Sequence, residues 1–113
     1  MALPRKFRLS STEIKEVFKR GLGLNSELFQ LKFLPAASAT TKFAVIVGSR
    51  VSKKASVRNK IKRKINEAIR LNISKVRPGR LIVIVAKSRL ADIRFVELGR
   101  ELINGLNKIK QSK

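Results

Sequence analysis

The sequence predicts an α+β fold, a two-layer α/β sandwich in which three helices pack on a small mixed sheet. Three observations lead there. Segments with helical and strand periodicity alternate in the order α-β-β-α-β-α. Two of the three strands are apolar on both faces, as strands covered by helices are. The chain has 113 residues, room for one core, so residues 1–113 are read as a single domain that binds RNA.

The first helix is written at both ends. Ser10 and Glu13 have the spacing of a capping box, and Leu9 and Ile14 that of a hydrophobic staple. Gly21 is expected to end the helix in a left-handed conformation. Ile14, Val17 and Phe18 share one face, leaving Lys15, Glu16, Lys19 and Arg20 outside. Leu28 to Leu34 follows as a half-buried strand, with Phe29, Leu31 and Phe33 on one side, Gln30 and Lys32 on the other, and Pro35 ending it. Residues Ala36 to Thr41 are small and polar and read as a hairpin loop into a second strand, Phe43 to Val47.

Residues 56–71 form the next helix. With Val57 at zero and about 100° per residue, Val57, Ile61, Ile65, Ala68 and Ile69 fall on one arc. Arg58, Asn59, Lys62, Arg63, Asn66 and Arg70 occupy the opposite one. After the turn signal Pro78-Gly79, Leu81 to Ala86 is the pattern of a central strand, and Asp92 can cap a last helix carrying Phe95, Leu98, Leu102, Leu106 and Ile109. Gly99 and Gly105 are tolerated there at some cost.

Charge narrows the function. Lys+Arg 27 against Asp+Glu 7 gives +20 on a chain that is 43% hydrophobic, too apolar for a disordered basic tail. A folded core with that surface repels itself unless a polyanion neutralises it, and nucleic acid is the first candidate. No Cys and no His is present, which removes disulfides, Cys/His zinc sites, thiol nucleophiles and histidine acid–base chemistry. The carboxylates form no convincing pair for two-metal nuclease chemistry. No run suits a secretory signal or a membrane span, so a cytoplasmic protein without a membrane partner or small-molecule substrate is expected.

Between Leu28 and Asn66 there is no acid, yet Arg50, Lys53, Lys54, Arg58, Lys60, Lys62, Arg63 and Lys64 crowd its second half. A solubilising helix mixes signs; here Lys60 repels Lys64 and Arg58 repels Lys62, with only Glu67 nearby to offset them. Arg offers a planar fork to phosphate, and Asn59 can donate and accept at a base edge or 2′-hydroxyl.

From Ser49 to Lys64, followed by Asn66-Glu67-Ala68-Ile69-Arg70, the chain resembles the bacterial ribonuclease P protein component, whose basic helix carries an Arg-Asn-Arg motif. Phe7-Arg8-Leu9, the helix end Val17 to Gly21, the strand Leu81 to Ala86 and the last helix extend the resemblance over nearly the whole chain. It departs in Lys60 at the third motif position, in Ile14 where many members carry an aromatic, and in Gly48-Ser49 for a usual Ser-Lys. The resemblance implies a fourth strand, which we place at residues 48–52, and a left-handed crossover through the basic helix, against the general rule.

For function it implies the protein subunit of an endoribonuclease that removes the 5′ leader of precursor tRNA, non-catalytic by itself. Catalysis would lie in an RNA subunit with its Mg2+, and the protein would hold no cofactor. Arg50, Lys53, Lys54, Arg58, Asn59, Lys60, Lys62, Arg63 and Arg70 would dock the RNA subunit, and Phe7, Arg8, Phe18 and Lys32 the leader. Phe18 at helical spacing reads more readily as a core residue than as a stacking one, and Lys32 reads equally as a solvated residue. Arg77 and Arg80 are read as general electrostatics. A ribosomal protein, a helix-turn-helix DNA binder and a free-standing nuclease are the competing readings. No helix pair precedes the basic helix, which speaks against the second.

Overall fold

In the computed structural model, residues 7–26, 28–35, 41–72, 79–87 and 95–112 are described, the last helix with side chains at 96–106. Ser10 opens α1 (Ser11–Arg20) with both halves of the capping box: its Oγ accepts from Glu13 N–H at 3.2 Å and its own N–H donates to Glu13 Oε1 at 2.9 Å. Leu9 and Ile14 pack in one apolar cluster, as a staple requires. The other Glu13 oxygen, Oε2, accepts from Lys42 Nζ at 3.3 Å, tying α1 to the sheet.

The Glu13 carboxyl titrates below its usual 4.5, chiefly because the Ser10 backbone N–H donates to it, with the Ser10 hydroxyl and Lys42 adding to the effect. A carboxylate favoured in the folded state stabilises fully above pH 4.5, and that contribution is lost as pH falls through the lowered value. Ser10→Ala should therefore cost about 1 kcal/mol in urea melts at neutral pH. Glu13→Gln should be destabilised at pH 7 and converge on the unchanged protein in acid; a deficit constant with pH would refute the linkage.

Gly21 follows α1 in an extended conformation, φ −77° and ψ 158°, rather than the left-handed one expected. Its role is closeness: a Cβ there would lie 2.4 Å from the Val17 carbonyl oxygen and 2.7 Å from that of Phe33. The chain passes directly into β1 (Leu22–Asn25), which pairs antiparallel with β2 (Phe29–Pro35). Ser26 shapes the connection by donating N–H to the Phe29 carbonyl at 3.0 Å, while its Oγ accepts from Phe29 N–H at 3.2 Å. β1 is the fourth strand, and it lies here rather than at 48–52. Four residues, one of them glycine and most exposed, leave too little alternation to read. Residues 48–52 instead make a turn closed by Val51 N–H to the Gly48 carbonyl at 3.1 Å.

β3 (Lys42–Ile46), α2 (Ala55–Asn72), β4 (Arg80–Ala86) and α3 (Phe95–Ser112) complete the chain. The sheet order is β1-β2-β4-β3. β2 and β3 are thus not a hairpin: Ile84 faces Leu31 on one side, antiparallel, and Val45 on the other, parallel. The run Leu81 to Ala86 buries both faces and both edges best at the centre, and α2 is the crossover that makes β3 and β4 parallel. Residues 36–40 of the expected loop, Asp92 and Pro78 lie outside the described residues. Gly79, with φ 88°, has the left-handed conformation its turn needs.

One sheet face buries Phe29, Leu31, Phe33, Phe43, Val45, Ile82 and Ile84 against Ile61, Ile65, Ala68 and Ile69 of α2 and Leu98, Leu102 and Leu106 of α3. α3 lies so near β2 that a Cβ on Gly105 would come within 2.8 Å of Leu31 Cδ1. On the other face Val83 meets Val17 and Leu9, with α1 laid across β2 and β4. Arg80 sits at the start of β4, 8% exposed, its Nε without a hydrogen-bond partner among the described residues. That burial removes it from the general surface electrostatics in which it was placed; Arg77 is outside the described residues.

Candidate nucleic-acid interface

α2 follows the expected phase. Ile61, Ile65, Ala68 and Ile69 are buried and Val57 packs partly against them. Asn59, Lys60, Lys62, Arg63 and Arg70 are exposed, and Arg58, Lys64 and Asn66 are half-buried. No acid stands in the first turn, so the positive end of the helix dipole adds to the side-chain charge instead of being offset.

The segment before α2 is held to it. Val51 packs against the main core, the Ser52 hydroxyl accepts from Lys54 N–H at 3.2 Å, and the Ser52 carbonyl accepts from Arg58 Nη1 at 2.9 Å. Arg50, Lys53 and Lys54 project from this turn, exposed.

Beside α2 runs a groove of about 730 Å³. Asn59, Lys62, Arg63 and Asn66 form one wall, the edge strand β3 from Phe43 to Ile46 the floor, and Arg8, Leu9 and Ile14 the other side. Leu9 N–H donates to the Phe43 carbonyl at 3.0 Å, and Arg8 bridges Phe43 in parallel, so the chain ahead of α1 closes part of the sheet edge. The lining combines apolar surface with amide and cationic groups and, among the described residues, contains no acid. Such a trough suits a stacked or splayed base with its phosphate on the cationic wall. The β3 floor, Leu9, Ile14 and Asn66 were not among the expected site residues. The available signal was that Phe43 to Val47 is apolar on both faces, whereas only one side of an edge strand is fully covered.

The residues expected to meet the leader do not form one cluster. Arg8 lines the groove. Phe18, 41% exposed, stands outside the core, with Lys32 Nζ 5.6 Å from its ring centroid, a cation–π pair joining α1 to β2. Phe7 is half-buried against the main core.

Several cations are already engaged. Arg70 forms a bidentate ion pair with Glu67, which raises the arginine's pKa and lowers the carboxyl's. Lys42 is paired with Glu13, Arg20 with Glu16, and Lys87 Nζ donates to the Ser26 carbonyl at 2.7 Å. Among the described residues, Arg50, Lys53, Lys54, Lys60, Lys62, Arg63 and Lys64, on α2 or the turn leading into it, have no such partner, and neither do the exposed Lys15 and Lys19 of α1 and Arg100 of α3. The charge left for a polyanion is therefore densest on α2 and the turn leading into it, with seven of these cations between residues 50 and 64. No group of three or more acidic, His or Cys residues able to hold a metal occurs among the described residues. No helix among them is long and apolar enough to cross a membrane.

The comparisons with known proteins agree with this geometry. The family model described as Ribonuclease P matches residues 3–110. The ribonuclease P protein component of Rippkaea orientalis is 35% identical, over 97% of this chain and 91% of that protein. The RNase P protein from Thermotoga maritima superposes with a TM-score of 0.82 at 26% identity, covering 89% of this chain and 96% of that one. That from Staphylococcus aureus, at 20% identity and a TM-score of 0.79, shares the fold. A match across almost the entire chain, in sequence and in backbone, means that the protein belongs to the bacterial ribonuclease P protein family, whose members serve as the protein subunit of the endoribonuclease that matures tRNA 5′ ends.

Proposed function

We propose that α2 and the Gly48–Lys54 turn dock the chain on the catalytic RNA subunit of ribonuclease P, and that the β3 groove, with the Phe18–Lys32 pair, holds the 5′ leader of precursor tRNA. The observation that carries this reading is the cluster of cations from Arg50 to Lys64, all but Arg58 without a partner among the described residues, beside a groove whose described lining holds no acid. Each phosphate neutralised there releases a condensed counterion. Bond cleavage belongs to the RNA subunit and the magnesium ions it holds, since this chain offers no histidine or cysteine to move protons. The assembly works in the cytoplasm, where precursor tRNA is made.

A ribosomal protein would have the same cationic surface and a different RNA. Equilibrium binding to the ribonuclease P RNA subunit and to a ribosomal RNA fragment of equal length, at physiological salt, separates the two. Preference for the RNA subunit by roughly a thousandfold is expected if recognition is specific. Equal affinities would overturn the reading.

A further inference from the structure

Arg58 opens the Arg-Asn-Lys run on α2, yet its guanidinium does not stand free in solvent as those of Arg50 and Arg63 do. It is half-buried, and Nη1 reaches back six residues to the Ser52 carbonyl at 2.9 Å. That carbonyl sits in the middle of the turn bearing Arg50, Lys53 and Lys54. Four other contacts shape the turn: Val51 N–H to the Gly48 carbonyl, the Ser52 hydroxyl to Lys54 N–H, Arg58 N–H to the Lys54 carbonyl at 3.1 Å, and Val51 against the core. The first two lie within the turn itself, the third is the first backbone bond of α2 and holds only the residue adjoining the helix, and the fourth holds Val51, so the Ser52 carbonyl is fastened to α2 by the Arg58 side chain. Of the described side chains of α2, Arg58 is the one that hydrogen-bonds to this turn.

We infer that Arg58 is a positioning residue: it fastens the Gly48–Lys54 turn to α2, so that Arg50, Lys53 and Lys54 bind RNA as one array with Lys62 and Arg63. A hydrogen bond from a charged donor is stronger than a neutral one, and a flexible turn carrying three like charges spreads apart unless something restrains it. Holding it in place removes the ordering cost that each cation would otherwise bear on binding. The four other guanidinium N–H groups of Arg58 remain able to meet RNA, but its larger effect passes through its neighbours.

This inference rests on the cationic face being the RNA-docking surface, and a double-mutant cycle in RNA binding tests the two separately. The probe is the ribonuclease P RNA subunit from the same genome, titrated over a range of salt. Arg63→Ala, the loss of one free cation, should reduce the slope of log affinity against log salt by about one unit. Arg58→Ala should reduce it by about two to three, and Arg58→Lys, which keeps a charged donor, should recover most of the difference. Lys53→Ala/Lys54→Ala should weaken binding strongly with Arg58 present and at most about threefold in the Arg58→Ala background, because coupled residues are not additive. In the same variants, exchange of the Val51 and Lys54 amide hydrogens should quicken in Arg58→Ala and not in Arg63→Ala. Equal slopes for Arg58→Ala and Arg63→Ala, with additive effects in the cycle and unchanged amide exchange, would show Arg58 to be an ordinary phosphate contact and overturn the inference. Absence of salt-dependent binding by the unchanged protein would instead overturn the docking surface itself.

Discussion

Ile61→Asp is expected to leave the chain unfolded at 25 °C, while Arg63→Ala, two residues away, melts within about 0.5 kcal/mol of the unchanged protein. Ile61 is 5% exposed in the main core, with Ile65, Phe43 and Ile82 in the same cluster. Truncating a buried isoleucine costs about 2–5 kcal/mol, and burying an unpaired carboxylate adds several more. Together these are of the order of the whole stability of a domain this size, about 5–15 kcal/mol. Arg63 has neither burial nor an ion pair to lose. Circular dichroism melts compare the two directly, and damage in the reverse order would mean that the cationic and apolar faces of α2 are exchanged. The result also bears on function, because the apolar arc of α2 fixes where its polar arc points.

Affinity for the RNA subunit should fall about 10³–10⁵-fold between 50 and 200 mM monovalent salt if the unpartnered cations of α2 and its leading turn, with a few others, neutralise six to ten phosphates. The net charge of +20 allows that many contacts. The decline is log-linear because a fixed number of neutralised phosphates releases a fixed number of condensed counterions. Filter-binding isotherms at five or six salt concentrations measure it. A flat profile would mean that docking rests on shape or apolar contact, and the segregation of charge on α2 would then have no role.

How much of this was legible in the sequence depended on how local the determinant was. The α1 cap needs four consecutive residues, Ser10 to Glu13, and both of its hydrogen bonds are present. The phase of α2 follows from spacing alone, and Ile61, Ile65, Ala68 and Ile69 are buried as expected. Strand neighbours are a different matter. Whether Phe43 to Val47 pairs with the strand before it or the strand after α2 depends on which of them occupies the centre of the sheet, and no residue in the loop between encodes that. β1 escaped because Leu22-Gly23-Leu24-Asn25 is short and held mainly by its pairing with β2. Gly21 ends α1 as its position suggests but in an extended rather than a left-handed conformation, and its reason lies in the Phe33 carbonyl, twelve residues on. For the site, the cations could be named in advance, but which of them are engaged could not. Arg58 donating to Ser52 and Arg70 paired with Glu67 are facts of side-chain direction. The groove needed the third dimension altogether, because its sides come from Arg8, the β3 strand and Arg63.

Cleavage of precursor tRNA at limiting magnesium, scored at the mature 5′ end, with protein alone, RNA subunit alone and both together, measures the division of labour between protein and RNA. No product is expected from the protein alone, and a faster reaction is expected for the mixture than for the RNA subunit alone, because a shared cationic partner lowers the repulsion between polyanionic catalyst and polyanionic substrate. The enhancement should shrink as magnesium is raised and as the 5′ leader is shortened to one nucleotide. Cleavage by the protein alone would place catalysis in this chain, and equal rates with and without it at low magnesium would remove its role in holding substrate; either would overturn the proposed function.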